Sequence, residues 1–464
     1  MRHTYIYIAL LLCTVMELSA QPRLTLSDCR EMALQNNFTL KSSDEKIAAS
    51  EDMLAAYKTN NLPNLSFTGG YLYSTASFSE TIEGGYLPTF TPDATTGELI
   101  PNITGVAPDG SYIFGQYAYM PDMVFDVNMG SFFLASARLT QPIYMGGKIS
   151  NAIKLAGVGV SVAQLNRQLT EAEVIIAADE AFYTTLKLDD MVAAARKYEE
   201  VVAEFHRQIS NAQSVGMATR NDVMKVEVQL NEAKLQSQKA ENGLRLSKMN
   251  LCYAVGLPLS TRDIELVDEF NTDQVIPSRE LDITSRPEYS ILEQQIEAKQ
   301  LEAKISQSEF LPSVSAVLGG GYLQGGTFNG DVIFNTPTFS GGVMINVPIF
   351  HWGEGRRKTS AARREVEVAR NQFEELSQRM TLELMQAIHS YEEAILEVSL
   401  MEYSLSQAEE NMRLSKSQYS AGMETLADYL ESQALWQKAM SELVEASSSQ
   451  RIAYSKYLKA SGVR

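Results

Sequence analysis

SVGMATRNDV, residues 214–223, returns as SAGMETLADY at residues 420–429, and the landmarks around the two keep the same spacing. Gly147 answers to Gly353, Ser214 to Ser420, Gly216 to Gly422, Met217 to Met423, Thr219 to Thr425 and Asp222 to Asp428, each 206 positions further on. Pro142–Gly256 and Pro348–Gly462 are therefore two copies of one unit, aligned without a gap. A repeat this long is a structural half rather than a small solenoid module. Each copy reads as strand, very long helix, Gly-containing turn and returning helix.

Working outward from the turns, no proline interrupts 147–215 or 353–421. Each stretch predicts a single helix of roughly 100 Å at 1.5 Å rise per residue. In the second copy a seam of Met380, Leu384, Ala387, Tyr391, Ala394, Val398, Met401, Leu405, Ala408 and Met412 runs at spacings of 3 and 4, which marks coiled-coil packing. The offset carries Met380, Leu384, Tyr391, Val398, Leu405 and Met412 onto Val174, Ala178, Thr185, Val192, Glu199 and His206 in the first copy. The returning helices, 217–256 and 423–460, are shorter. A leading helix in each half, 24–60 capped by Ser27 and 288–311 after Arg286-Pro287-Glu288, is expected to stack on the free end of the long one. The halves are 21–256 and 287–464, and the link 257–286, with Pro258 and Pro277, predicts an irregular equatorial belt.

Four stretches alternate apolar and small or polar residues with period two, at 63–73, 131–144, 312–323 and 339–350. In the first, Leu65, Phe67, Tyr71 and Tyr73 alternate with Ser66, Thr68 and Gly70. In the second, Phe133, Ala135, Ala137, Leu139 and Ile143 alternate with Ser136, Arg138 and Thr140. Val314, Ala316, Leu318 and Tyr322 share a face of the third, and Phe339, Val343, Ile345, Val347 and Ile349 a face of the fourth. Each is about the 9–11 residues a tilted strand needs to cross a bilayer. The connection 74–130 is a long loop, and its counterpart 324–338 a short one. Four strands cannot close a barrel and open edges are not tolerated in lipid, so other copies of the chain must complete the wall. Two copies give eight strands and three give twelve.

The chain opens like an exported one. Arg2 and His3 precede the apolar run Ile6–Met16, and Leu18-Ser19-Ala20 offers a cleavage site, so 1–20 reads as a signal peptide with Cys13 inside its apolar core. Beyond it no apolar run is long enough for a membrane helix. A net charge of −18 argues against nucleic acid as a partner. Cys29 and Cys252 are too few for a disulfide framework and read as small buried hydrophobes. His206 and His389 have no second ligand at metal spacing, and His351 with Trp352 reads as an interfacial aromatic pair, so no metal or cofactor is assigned. Neither a nucleophile–base pair nor a phosphate loop supports an enzyme.

The residues LTLSDCREMALQNN (24–37), LTQPIYMGGK (139–148), INVPIFHWGEG (345–355), AVGLP (254–258), both LP strand openings and both turns together resemble the outer-membrane efflux channels typified by TolC, over nearly the whole chain. The resemblance implies an α+β membrane protein: a homotrimer with a twelve-stranded β-barrel in outer-membrane lipid, continued by a periplasmic α-helical tunnel. It would open toward a periplasmic adaptor protein and an inner-membrane transporter, as the exit channel of a tripartite efflux system. The same architecture serves as the exit channel of type I protein secretion. A non-channel coiled-coil structural protein would explain the heptads but not four alternating strands in duplicated places.

By resemblance, Gly216, Met217, Thr219, Gly422, Met423 and Thr425 are the tips on which the adaptor docks. Asp428 and Glu431, three apart and so on one helical face, would line the pore at its narrowest point, with Asp222 as first-half counterpart and Lys225 in place of a second acid. Three copies would give acidic rings, which select cations and whose crowding raises some carboxyl pKa values. Where family members can carry a basic residue after the second turn, this chain has Glu424, and its base is Arg220 in the first hairpin. A charge-swapped latch between Arg220 and Glu424, with Tyr419 nearby, is the expectation.

Overall fold

A computed structural model describes residues 23–259, 264–267, 277 and 281–463. The expected signal peptide 1–20, with Cys13, and most of 260–280 lie outside the described residues. The chain divides into two compact units, one of residues 56–151 with 304–358 and the other holding the remainder.

The first unit is a sheet. Its strands are β2 (Asn64–Tyr73), β10 (Met123–Met145), β12 (Ser313–Phe328) and β13 (Asp331–Asn346), antiparallel in the order β13-β12-β10-β2. The register sets Arg138 opposite Ser66 and Gly319, with Ser340 beyond, and Ser136 opposite Thr68 and Gly321, with Thr338 beyond. The opposite face carries Leu65, Phe67, Ala137, Leu139, Leu318 and Phe339 on neighbouring positions. The two-faced alternation read from the sequence is thus kept across all four strands.

Several boundaries differ from expectation. The stretch 74–130 is not a plain loop. β3 (Ser77–Ile82) pairs with the outer end of β10, from Met123↔Ile82 to Asn128↔Ser77. Three small ribbons follow: β4 (Gly85–Pro88) with β9 (Tyr117–Met120), β5 (Phe90–Pro92) with β6 (Leu99–Pro101), and β7 (Ile103–Val106) with β8 (Tyr112–Phe114). Strands of three or four residues are too short to show a period, and Gly, Pro and Asp there read as loop.

Likewise 324–338 is mostly strand. β12 and β13 pair out to Phe328↔Asp331 around Asn329 and Gly330, at φ 49° and 90°, an Asn-Gly hairpin whose left-handed residues match the twist of the strands. β13 stops at Asn346, so Val347 and Ile349 fall beyond it. The register shifts between Pro142 and Tyr144, which sets Tyr144 opposite Val314. Ile143 is therefore the extra residue of a bulge rather than a continuation of the apolar row.

The corners after β10 and β13 repeat a conformation rather than a residue. Gly146 and Gly147 have φ of 62° and 84°, and Trp352 and Gly353 have 48° and 78°. At Gly146 a Cβ would also sit 2.8 Å from Leu311 Cβ, so there glycine is required twice over.

The second unit holds the helices. The expected 24–60 helix is two: α1 (Leu26–Asn36) and α2 (Phe38–Thr59), separated by Asn37 in an extended conformation. Its cap is Thr25, not Ser27. Thr25 and Asp28 form a reciprocal capping box. The long helices are α3 (Lys148–Ser214) and α6 (Glu354–Ser420), the returning ones α4 (Arg220–Val255) and α7 (Leu426–Ala460), and α5 (Pro287–Ser308) leads the second half. No helix among the described residues is long and apolar enough to cross a membrane.

The two halves carry matching cores. Ala181, Phe182, Leu251 and Val255 cluster with Leu24, Cys29, Cys252 and Ile264, while Met380, Leu384, Ile388 and Tyr457 cluster with Ile283, Leu292 and Ala460. Both mature cysteines are fully buried there, and burial pushes the Cys29 thiol up to about 12, so it packs as a neutral hydrophobe. Of the expected irregular belt, the described Glu265–Val267 is a strand, β11, that pairs in parallel with β1 (Arg23–Thr25). The α6 seam is buried or half-buried as predicted. The α3 seam is buried or half-buried too, but toward the tip Tyr198 and Phe205, one position earlier, are buried more deeply than half-buried Glu199 and His206. α1 is docked by Arg30, whose Nε and Nη2 donate to Asp179 Oδ1 and Oδ2 at 2.6 and 2.8 Å; Asp179 is fully buried.

Candidate functional site

Both turns between long and returning helix are built the same way. Gly216 and Gly422 take φ of 81° and 75°, and the following Met217 and Met423 donate backbone N–H to Ala212 and Gln418 carbonyls at 2.8 and 2.9 Å. This is a Schellman stop, in which glycine supplies the left-handed residue. Thr219 and Thr425 then restart the chain as N-caps. The Asp222 N–H donates to Thr219 Oγ1 at 3.2 Å, and Asp222 Oδ2 accepts from the Thr219 N–H and hydroxyl at 3.0 and 2.7 Å. Asp428 and Thr425 repeat this box at 3.3, 3.2 and 2.6 Å. Met217 and Met423 remain 83% and 76% exposed, so each tip presents a bare thioether beyond a rigid turn.

Two of the three acids singled out from sequence are thus partly committed within the chain. One carboxylate oxygen of Asp428 and one of Asp222 serve the caps, while Glu431 is exposed. The hydroxyl and then the backbone N–H of Thr219 hold the Asp222 carboxyl below the usual carboxylate range.

Arg220 and Glu424 make no ion pair with each other among the described residues. Arg220 is exposed, and Glu424 has one carboxylate oxygen buried with no hydrogen-bond partner among the described residues. What links the two hairpins is aromatic. Phe205 of α3 meets Tyr429 edge-on at 4.8 Å and Tyr419 at 5.6 Å, and Tyr419 stacks on Tyr429 at 5.7 Å and 12°. Ile209, Val226 and Leu426 complete this cluster. Burial, then the nearby charge of Asp222, push the Tyr419 phenol up. Phe205 escaped the sequence reading because the seam was carried over by offset, which placed His206 there. Among the described residues no cluster of metal-ligating side chains occurs.

This duplicated arrangement of strands, long helices and capped tips defines a class of outer-membrane channel. The chain matches the outer membrane efflux protein family over residues 29–257 and 283–463, and it belongs to that family. Its fold is also that of solved channels. It superposes on the CmeC outer membrane channel of Campylobacter jejuni with a TM-score of 0.70 at 18% identity, covering 94% of this chain and 85% of that one. On the outer membrane protein VceC of Vibrio cholerae the TM-score is 0.71 at 15% identity, covering 94% and 96%. No curated protein gives a match. The protein is a channel of the outer membrane and not an enzyme.

Proposed function

We propose that three copies of this chain form one conduit, the outer-membrane exit channel of a tripartite efflux system that passively conducts small molecules from the periplasm to the exterior. The observation that carries this reading is the sheet's two bare edges. Among the described residues β2 pairs only with β10, and β13 only with β12, and an unpaired edge cannot stand in lipid. Three four-stranded sheets joined edge to edge make a closed wall of twelve.

The helices support association as well. Beside its buried seam, α6 exposes a second row at Leu382, Met385, Leu396, Leu400, Tyr403 and Leu414, and α4 exposes Met224, Val228, Leu235, Leu246, Met249 and Tyr253. Both rows keep coiled-coil spacing, and an exposed apolar row of this length marks an interface. Neighbouring subunits would cover them and close the tunnel.

At its tips the exposed Met217 and Met423, with Gly216, Thr219, Gly422 and Thr425, offer a small-residue surface to the hairpin of a periplasmic adaptor, which couples the channel to an inner-membrane transporter. Asp428 and Glu431 on α7, with Asp222 on α4, would ring the periplasmic constriction. The experiment is conductance of the purified trimer in a planar bilayer. The channel should open stepwise, and Asp428→Asn with Glu431→Gln should lower its preference for cations. In cells, deletion should sensitise the strain to small toxic solutes while leaving polypeptide export intact. Lost polypeptide export with unchanged sensitivity would contradict the efflux role.

A further inference from the structure

The four long strands carry three charged side chains: Arg138 within the sheet, and Asp126 and Asp331 at the Asn329-Gly330 hairpin end. The row of Arg138 is Ser66, Gly319 and Ser340. The rows on either side on the same face hold Thr68, Ser136, Gly321 and Thr338, and Asn64, Thr140, Val317 and Gly342. The other face is the one carrying Leu65, Phe67, Leu139, Leu318 and Phe339. An arginine turned to lipid near mid-bilayer would cost about 2–4 kcal/mol per copy. The polar face therefore looks into the lumen and brings the guanidinium with it.

Arg138 is exposed, and neither its own row nor the rows beside it holds a carboxylate, since Asp126 and Asp331 lie at the hairpin end of the strands. Its flanking residues are too small to cover it. A Cβ built on Gly319 would touch only the Ala137 carbonyl and Ser340 Oγ, at 3.6 and 3.7 Å. The nearest ionic groups along the chain are of other kinds. At the corner after β10, Lys148 lies 3.7 Å from Glu309. On the other side, residues 59–137 hold seven acids and no Lys, Arg or His.

We infer that the three Arg138 side chains of the assembled barrel form a cationic ring in its lumen that weakly binds and passes solutes bearing an oxyanion, whether carboxylate, sulfate or phosphate. This rests on the trimeric reading above. A guanidinium offers donors in a planar fork that matches such oxygens two at a time, and rings of arginine are how pores favour anions. An outward-moving anion released by the ring next meets the base-free, acidic segment 74–130, which cannot bind it a second time.

The test is block of single channels by pyrophosphate added to the chamber facing the barrel mouth, so that it reaches Arg138 before the acidic tips. Pyrophosphate should block the wild-type channel, and more weakly as salt is raised. Arg138→Gln should raise the half-blocking concentration about tenfold, the loss of one set of charge-assisted hydrogen bonds, while Arg138→Lys keeps most of the block. Ser66→Asp, which leaves Arg138 in place but sets a carboxylate opposite it, should weaken block in the same direction, and it serves if Arg138→Gln does not assemble. Equal block of wild type and either neutralising variant, with trimer and conductance intact, would overturn the ring. A wild-type channel that pyrophosphate never blocks would also overturn the ring alone. A wild-type protein that forms no channel would defeat the conduit reading itself.

Discussion

At the scale of single residues, the two turns owe their shape to a threonine and an aspartate three positions apart. Thr219→Ala or Thr425→Ala should each cost about 1 kcal/mol of local stability. Amide exchange over the first turn of α4 or α7 should accelerate roughly fivefold in consequence. Unchanged protection would mean that neighbouring packing, not the cap, holds the turn. The Asp222 cap also carries a pH signature. Its folded pKa is depressed, so its contribution is fully present above the unfolded value of about 3.9 and is lost as pH falls from there through the folded value. Protection of that turn, corrected for intrinsic exchange, should be level above about pH 5 and fall below about pH 4. Asp222→Asn should abolish that part of the fall. These threonine–aspartate pairs stand in the sequence at 25–28, 219–222 and 425–428, spaced as capping boxes. The aromatic contact between Phe205 and Tyr419 was not legible, because partners 214 positions apart share no local pattern.

At the scale of elements, what the sequence made legible was whatever repeats with a period. The uninterrupted helices, the α6 seam and the strand faces all recur in the structure. The ribbons within 74–130 were hidden because strands of three or four residues have no period, whereas in 324–338 Asn329-Gly330 was an available hairpin signal. The deeper burial of Tyr198 and Phe205 in α3 was hidden because a gapless alignment cannot report a local change in helix phase. How α1 reaches α3 is likewise a tertiary matter: Arg30 and buried Asp179 are 149 positions apart. Arg30→Ala would remove the bidentate partner of the buried Asp179 carboxylate, leaving it the Ser455 hydroxyl, and should cost about 3 kcal/mol, read as a lower unfolding midpoint of the assembled protein. A shift below about 1 kcal/mol would mean that water reaches Asp179 freely. The edge strands make a separate prediction. In assembled protein the outward amides of β2 and β13 should exchange as slowly as those of β10 and β12, since each edge is paired with a neighbour. Fast exchange confined to β2 and β13 would show that the edges stay open.

At the scale of the whole molecule, one chain carries half-made surfaces of two kinds. Its sheet has an apolar face and two bare edges, and its helices expose second heptad rows, while the buried cores of each half are complete. On the proposed trimer, such a chain folds locally and is finished by association, and the polar strand face with Arg138 becomes a lumen when the wall closes. Native mass spectrometry of the detergent-extracted mature chain tests this most directly. A single species of three times the subunit mass, reverting to one subunit mass on boiling, is the predicted result. A stable monomer that stays soluble without detergent would contradict it.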